Sequence, residues 1–201
     1  APTKLQLERF LKLSRLFPQI ELRHAANSAA TLQFPETHLD MVRIGISLYG
    51  LYPSAAVSRT VALKPVLSLK TRVVRLHSIK AATGVSYGLT WVAPEDSAVA
   101  LIPFGYGHGL PRLLSNRGNV LVRGRRAPIR GVVCMDQSII DVTGIPAVSV
   151  GDKVTIIGNQ DGEEITAEEI AELASTINYE VVTRLPAALP RLYLDRKTGQ
   201  G

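Results

Sequence analysis

The chain has 201 residues, of which 46% are hydrophobic and 20% are charged, a composition typical of a folded protein with one large or two small domains. No apolar run approaches the roughly 20 residues that span a bilayer, so we predict no membrane partner. The single cysteine, Cys134, excludes an internal disulfide framework and is typical of a reducing, cytoplasmic environment.

The formal net charge of +6 favours contact with anions. The basic residues are scattered, however, and their densest cluster, residues 123–126, lies where a hairpin turn is predicted. The few aromatic residues do not alternate with that cluster, unlike the stacking surfaces that bind single-stranded nucleic acid. We therefore expect no nucleic-acid partner. One cysteine and four histidines match no zinc spacing, so no metal site is predicted.

The first 60 residues alternate between helical and strand patterns, as in a β/α protein. Residues 4–17 place apolar side chains mostly at helical spacing among lysines and arginines, which predicts a surface helix that ends before Pro18. Residues 20–24 alternate between apolar and polar side chains and predict a strand.

A second β/α unit follows the first. Residues 25–30 turn into a short helix, with Asn27 or Ser28 suited to cap its N-terminus. Residues 41–43 predict a short strand, and residues 45–50 lead into a helical turn. Two such units cannot close a barrel, and an open sheet leaves an exposed edge. We therefore expect the chain to be incomplete as a folding unit.

From residue 61 onward, short β-rich runs are separated by glycine, proline and aspartate. This spacing predicts a mainly antiparallel, barrel-like β-domain, so the expected fold class is α/β followed by β. One helix is predicted from Thr166 to about Thr176, with Glu169 as the capping-box partner of Thr166. The β-rich runs are residues 66–79, 97–104, 119–123, 127–135, 138–142 and 153–157.

Polar residues and glycines follow both short strands predicted in the first 60 residues. Active sites of TIM barrels lie where strands end, and the loops after the last two strands often bind phosphate, so these residues are candidates for an anion site. Ser28 offers a hydroxyl at a helix N-terminus, and Gly45 and Ile46 offer backbone N–H groups. Arg43 can pair with a phosphate, a carboxylate or a ring nitrogen. The alternative is that Ser28 is an ordinary helix cap and that His24 has a structural role.

Two tyrosines lie in glycine-flanked segments that predict exposed loops. Tyr87 is preceded by Gly84 and followed by Gly88, and Tyr106 follows Gly105. Glycine adopts positive φ angles and allows a second surface close to the backbone. A tyrosine held outward in such a loop can act as an acid or base when a nearby positive charge assists it. For each segment, a simple turn with a structural tyrosine is the alternative.

Together, these segments resemble the alanine racemases of bacteria, a family of fold-type III enzymes that use pyridoxal 5′-phosphate (PLP). Any one of them is a weak signal, but they occur in the family's order and extend over nearly the whole chain. The matching segments are residues 24–28, 42–50, 84–88, 105–106, 131, 134–137 and 177–180.

The resemblance implies an N-terminal (β/α)8 TIM barrel followed by a mainly β C-terminal domain. On this basis residues 1–60 are the C-terminal part of the PLP-binding barrel and residues 61–201 are the β-domain. The lysine that forms a Schiff base with PLP belongs to the first barrel strand, so we expect it on an N-terminal segment that these residues do not include. The implied protein is an isomerase that forms a cytoplasmic homodimer with shared active sites.

The implied reaction is the interconversion of L-alanine and D-alanine by proton transfer between two bases, which supplies D-alanine for peptidoglycan. The resemblance implies that Tyr87 is the base that removes the α-proton of the L-enantiomer, with the lysine on the opposite face. It also implies that the backbone of Met135 contacts the substrate carboxylate and that Tyr106 lines a narrow entrance. These three residues would then serve the cofactor of the partner subunit.

The implied PLP site draws on both parts of the chain. Arg43 faces the pyridine nitrogen and, as a permanent cation, keeps that nitrogen unprotonated, while His24 orients the guanidinium. Asn27 is a further cofactor-binding candidate. The residues implied to bind the cofactor phosphate are Ser28, Tyr179 and, through their backbone, Gly45 and Ile46.

Two questions stay open at this point. His108 replaces the acid in the family pattern Gly-Tyr-(Ala or Gly)-Asp-Gly, so different hydrogen bonding is expected at the entrance. The alternative to the racemase hypothesis is a non-catalytic β-domain module that binds nucleic acid or protein through its basic surface. Steep salt dependence of binding without any bound cofactor would be its signature.

Overall fold

The computed structural model describes residues 2–194. They form two compact units, the first ending at Leu67 and the second beginning at Ser68. The domain boundary expected after residue 60 stays a prediction, and residues 195–201 of the expected β-domain lie outside the described residues. No helix in residues 2–194 is both long and apolar enough to cross a bilayer.

The first unit begins with the predicted surface helix, α1 (Pro2–Ser14). Its apolar side chains, mostly leucines, recur at helical spacing, and a helix gathers them on one face. None of these side chains is buried, and Leu5 and Leu13 are about half exposed. The helix therefore presents an accessible apolar stripe.

The two strands predicted in the first unit, residues 20–24 and 41–43, do not form. A parallel bridge between His24 and Met41 joins the two segments in place of a ladder. A strand needs a neighbour along its length to satisfy its backbone groups. Alternation of side chains does not supply that neighbour, so the pattern predicted strands where only a bridge is present.

The predicted short helix is α2 (Ser28–Gln33). Oδ1 of Asn27 accepts the N–H of Ala30 at 3.0 Å, so Asn27 is the N-cap and Ser28 is the first helical residue. The predicted helical turn also forms, as a 3₁₀ helix over Ile46–Tyr49. Local capping and turn signals therefore predicted these two helical segments.

The second unit is built on an antiparallel sheet, which confirms the predicted mainly antiparallel β-domain. The strands are β1 (Leu69–Arg72), β2 (Arg75–Ile79), β3 (Gly84–Val85), β4 (Trp91–Val92), β5 (Ser97–Ile102), β6 (Asn119–Val122), β7 (Arg125–Arg130), β8 (Ser138–Asp141), β9 (Lys153–Gln160) and β10 (Glu163–Ile165). In the described part of the chain, eight of them form one sheet in the order β1-β9-β6-β7-β8-β5-β2, with β10 paired to β9. β3 and β4 form a separate hairpin.

The expected barrel-like closure is not found among residues 2–194. β1 and β2 lie at the two ends of the strand order, where β1 pairs with β9 and β2 pairs with β5. Both come from one β-rich run that changes partners at its centre. The N–H of Val73 donates to the carbonyl of Asp152, whereas the N–H of Val74 donates to that of Leu101. β1 and β2 follow one another without a chain reversal between them, so they cannot pair with each other. The sheet therefore stays open between these two ends.

The basic cluster forms the predicted turn, a two-residue hairpin between β6 and β7. Arg123 and Gly124 have φ angles of 50° and 68°, which match the right-handed twist of the flanking strands. The strands around this hairpin supply the core of the unit. Its fully buried side chains include Val120, Leu121, Val122, Ile129, Ile140 and Val154. Single-turn 3₁₀ helices occur at Pro35–Thr37, Tyr87–Leu89, Tyr106–His108 and Arg112–Leu114.

The sheet is followed by α3 (Ala167–Leu173) and α4 (Asn178–Thr183). Thr166 caps α3 as predicted, because its Oγ1 accepts the N–H of Glu169 at 3.1 Å. The carboxylate of Glu169 accepts hydrogen bonds from Arg126 at 2.6 and 3.0 Å instead of completing the predicted capping box. A guanidinium is a stronger donor to a carboxylate than a neutral N–H group, which accounts for the difference.

The cap of α3 can be tested by two substitutions. Thr166→Ala removes the acceptor for the Glu169 N–H and should cost about 1 kcal/mol of unfolding free energy, or about 2–4 °C in the melting midpoint. Thr166→Ser keeps an equivalent hydroxyl and should melt close to the unmodified chain. Equal midpoints for the alanine and serine variants in thermal unfolding followed by circular dichroism would show that the cap contributes nothing.

Candidate active site

Ser28 and Gly45 meet in the first unit at the starts of two helical segments. The N–H of Gly45 donates to Oγ of Ser28 at 2.9 Å, and Ser28 is only 4% exposed. A hydroxyl can accept and donate at the same time, so Ser28 Oγ keeps its own proton for another acceptor. Gly45 therefore orients the hydroxyl that the sequence assigns to phosphate.

Ile46 and Ser47 add two further polar groups to this turn. As the first residue of a 3₁₀ helix, Ile46 has a backbone N–H without a partner inside that helix. Oγ of Ser47 is buried, and it has no hydrogen-bond partner in the part of the chain that the structure describes. A Cβ at Gly45 would still lie 4.0 Å from Ser28 Oγ, so the face is open. These donors fit a phosphate, whose oxygens accept several hydrogen bonds.

Arg43 and His24 form a second polar pair in the first unit. Nη1 of Arg43 donates to Nδ1 of His24 at 2.6 Å and contacts the His24 carbonyl oxygen at 3.5 Å. Because Nδ1 accepts this bond, the imidazole is neutral and carries its proton on Nε2. The structure thus places His24 where it can orient the guanidinium. Asn27 is occupied in capping α2, so its direct contact with a cofactor stays a prediction.

Tyr87 lies in a tight turn between β3 and β4 of the second unit. Its side chain is 75% exposed, as the glycine-flanked pattern predicted. The turn uses positive φ angles at Ser86, Gly88 and Leu89. The phenol is therefore presented to the outside of the unit, where it can reach a bound molecule.

The turn that carries Tyr106 lies against Met135. The N–H of Tyr106 donates to the carbonyl of Cys134 at 3.0 Å, and the N–H of Gly107 donates to that of Met135 at 2.8 Å. A Cβ at Gly105 would lie 2.1 Å from the Cys134 carbonyl oxygen, so only glycine allows this approach. Within residues 2–194 the N–H of Met135 makes no hydrogen bond. It is the group that could bind a carboxylate.

His108 closes the same turn. Its Nδ1 accepts the N–H of Gly105 at 3.2 Å, and its ring packs on Phe104 with ring centroids 5.2 Å apart. Acceptance at Nδ1 requires the neutral imidazole with its proton on Nε2. The histidine that departs from the family pattern therefore supplies an acceptor that holds the Tyr106 turn.

Two protein-family models match this chain. The family model described as alanine racemase, C-terminal domain, matches residues 66–193, and the one described as alanine racemase, N-terminal domain, matches residues 1–53. The chain belongs to the alanine racemase family. The resemblance seen in the sequence motifs is thus confirmed.

Individual alanine racemases are similar to most of this chain. One from Halothermothrix orenii is 52% identical over 187 residues, which are 93% of this chain and 49% of that protein. One from Desulfosudis oleivorans is 50% identical over an alignment of 192 residues that covers 92% of this chain and 49% of that protein. The chain therefore spans about half the length of these relatives.

Solved alanine racemases share its fold. The crystal structure of the enzyme from D-cycloserine-producing Streptomyces lavendulae has a TM-score of 0.90 and 38% identity, covering 96% of this chain and 52% of that chain. The Bacillus anthracis alanine racemase with bound L-Ala-P has a TM-score of 0.87 and 38% identity, covering 95% and 50%.

Two arginines that the sequence did not single out lie beside Tyr106. A cavity of about 400 Å³ in the second unit is lined by Tyr106, Arg112 and Arg184, among others. Arg184 also pairs with Glu180 at 2.7 Å. Neither arginine belongs to a segment that carried the resemblance to alanine racemases. The closeness of Arg112 to Tyr106 along the chain could have suggested that Arg112 lies beside this tyrosine.

Tyr179 is the second residue of α4 and is about one third exposed. Burial raises the pKa of its phenol above the ordinary value of 10.0, because a low-dielectric surrounding disfavours the phenolate. The hydroxyl therefore stays protonated near neutral pH and can donate to a phosphate. Ser28 belongs to the first unit and Tyr179 to the second, and their shared role at one phosphate stays a prediction.

The titration of Tyr179 can be measured directly. Phenolate absorbance of the unmodified chain minus that of Tyr179→Phe should show one transition with its midpoint above pH 10.0. Because the folded pKa is raised, the stability linked to this group is present below about pH 10 and is lost as the pH rises through the folded pKa. A midpoint at or below 10.0 would contradict the effect of burial.

Proposed function

We propose that this chain supplies a large part of the active site of a PLP-dependent alanine racemase, an isomerase that interconverts L-alanine and D-alanine. The observation that carries the proposal is the Ser28–Gly45 contact in a chain of the alanine racemase family. The buried hydroxyl of Ser47, two residues after Gly45, has no hydrogen-bond partner within residues 2–194 and adds to it. These groups fit the phosphate of the cofactor. In the cytoplasm, the product D-alanine would serve peptidoglycan synthesis.

In this proposal residues 1–60 are the C-terminal part of a (β/α)8 barrel and residues 61–201 are the β-domain. The parallel bridge between His24 and Met41 supports this assignment, because it joins the two segments side by side in the direction that barrel strands share. The lysine that binds PLP comes from a segment N-terminal to these residues. The greater length of the relatives supports the existence of that segment.

The following groups of this chain would hold the cofactor. Ser28 would donate a hydrogen bond from its hydroxyl to the phosphate, and Ile46 would donate one from its backbone N–H. Tyr179 would donate a hydrogen bond from its phenol hydroxyl to the cofactor phosphate. Arg43, held by His24, donates to the pyridine nitrogen and disfavours a second proton there, since two cations repel. PLP, when bound, withdraws electrons from the substrate and makes its α-proton acidic.

Tyr87 would remove the α-proton of L-alanine at its phenol oxygen, and the lysine would return a proton on the opposite face, which inverts the configuration. The N–H of Met135, which makes no hydrogen bond among the residues that the structure describes, would bind the substrate carboxylate. Tyr106 would narrow the entrance and so favour a small side chain. In a homodimer with shared sites, these three residues would act on the cofactor of the partner subunit.

Tyr87→Phe tests the catalytic assignment. With the lysine-bearing segment and PLP present, loss of the phenol oxygen should lower L-to-D turnover by at least about 100-fold. The melting midpoint should stay unchanged, because the Tyr87 side chain is 75% exposed. Tyr193→Phe serves as the matched control, because it removes the hydroxyl of another exposed tyrosine, which is 90% exposed. Full turnover by Tyr87→Phe in a D-alanine assay would exclude Tyr87 as the base.

Ser28→Ala tests the cofactor assignment separately. Loss of a hydrogen bond to a charged group should weaken PLP binding by about 10-fold or more. Binding of pyridoxal, which lacks the phosphate, should change little. Equilibrium dialysis of both ligands against the unmodified chain and the variant gives the comparison. An equal loss for PLP and pyridoxal would show that Ser28 does not bind the phosphate.

A further inference from the structure

Ser86, the residue before Tyr87, adopts a backbone conformation that normally requires glycine. Its φ and ψ angles are 65° and 179°. This region of backbone space is occupied almost solely by glycine, because a Cβ crowds the chain there. Strain of this kind persists only where the surroundings enforce it, and it concentrates at functional sites. The presence of serine therefore calls for a reason that lies in its side chain.

The hydroxyl of Ser86 provides that reason. Oγ of Ser86 donates to the carbonyl oxygen of Val132 at 2.7 Å and lies 3.6 Å from Sγ of Cys134. Gly131, with φ of 74°, lies so close that a Cβ would be 2.5 Å from the Ser86 Cβ and 2.9 Å from the Val85 carbonyl oxygen. The segment of residues 131–134 is thus held directly against the residue that precedes Tyr87.

Asn116 holds the other side of the Tyr87 turn to the same segment. Its Nδ2 donates to Oγ1 of Thr90 at 3.1 Å and contacts the Thr90 carbonyl oxygen at 3.3 Å. Its Oδ1 accepts the N–H of Gly131 at 2.6 Å. The turn is therefore fixed on both sides of Tyr87, at Ser86 and at Thr90, and both attachments end at residues 131–132.

Tyr87 itself has little else to orient it. Its side chain is 75% exposed, and its hydroxyl makes no hydrogen bond in the part of the chain that the structure describes. The segment that anchors its turn continues to Met135, whose N–H is open to an acceptor. The phenol and this N–H are therefore positioned relative to one another through the Ser86–Val132 bond.

We propose that Ser86 is a positioning residue for Tyr87, whose hydroxyl fixes the Tyr87 turn against the segment that leads to Met135. The inference rests on the proposed function, in which Tyr87 is the base and Met135 binds the carboxylate. Serine is required at this position because glycine would relieve the strain but lose the bond. Alanine would keep the strain and also lose the bond.

The experiment compares Ser86→Gly and Ser86→Ala in the full chain, with Ser78→Ala as the control. Ser78 is exposed, and its hydroxyl has no hydrogen bond among the described residues. Ser86→Gly should melt about 2–6 °C higher than Ser86→Ala, because glycine relieves the strain. In both variants the ¹⁵N order parameter at Tyr87 should fall from about 0.85 towards about 0.6. The amide of Leu89, which donates to the Ser86 carbonyl at 3.2 Å, should exchange faster.

With the lysine-bearing segment and PLP present, both Ser86 variants should lower kcat for alanine by about 10- to 100-fold while KM changes little. A purely structural role would lower kcat only in the less stable alanine variant. Unchanged order parameters and full kcat in Ser86→Gly would overturn the proposal. If the unmodified assembly does not racemise alanine, the proposed function fails. The order parameters and amide exchange then still decide whether Ser86 fixes the Tyr87 turn.

Discussion

The second unit depends on close backbone contact around residues 131–135. Gly131 admits the Tyr87 turn, since a Cβ there would lie 2.5 Å from the Ser86 Cβ. Gly105 admits the Tyr106 turn against the next carbonyls of the segment, where a Cβ would lie 2.1 Å from a backbone oxygen. Interiors tolerate no such overlap, so glycine at both positions is a condition of the arrangement. The turns that carry the two exposed tyrosines, Tyr87 and Tyr106, are thereby held against one short segment.

The first unit positions its polar groups by a related principle. Segments that touch at a single parallel bridge bring together Ser28 with Gly45 and His24 with Arg43. Gly45 fixes the hydroxyl of Ser28, which can still donate its own hydrogen. His24 fixes the guanidinium of Arg43, which carries further N–H donors. Such preorganisation is what an anion or a ring nitrogen needs, because the cost of ordering the donors is met during folding.

Local signals in the sequence predicted the parts of the fold that depend on local chemistry. Asn27 and Thr166 cap their helices, and Arg123 with Gly124 forms the tight turn. The strands predicted at residues 20–24 and 41–43 were wrong because pairing depends on neighbours that alternation does not encode. The candidate site shows the same division. Motifs predicted its residues, but the bond from Ser86 to Val132 joins residues 46 apart in sequence and has no local signal.

His108 supplies a single directed acceptor to the Tyr106 turn, at a position where the family pattern has an acid. An ionised carboxylate accepts hydrogen bonds with either oxygen, whereas an imidazole accepts at Nδ1 only while it is neutral and protonated on Nε2. The packing of His108 on Phe104 sets the ring so that Nδ1 meets the N–H of Gly105. The Tyr106 turn is therefore held by one acceptor of fixed direction, whereas an acid at the same position would offer two oxygens.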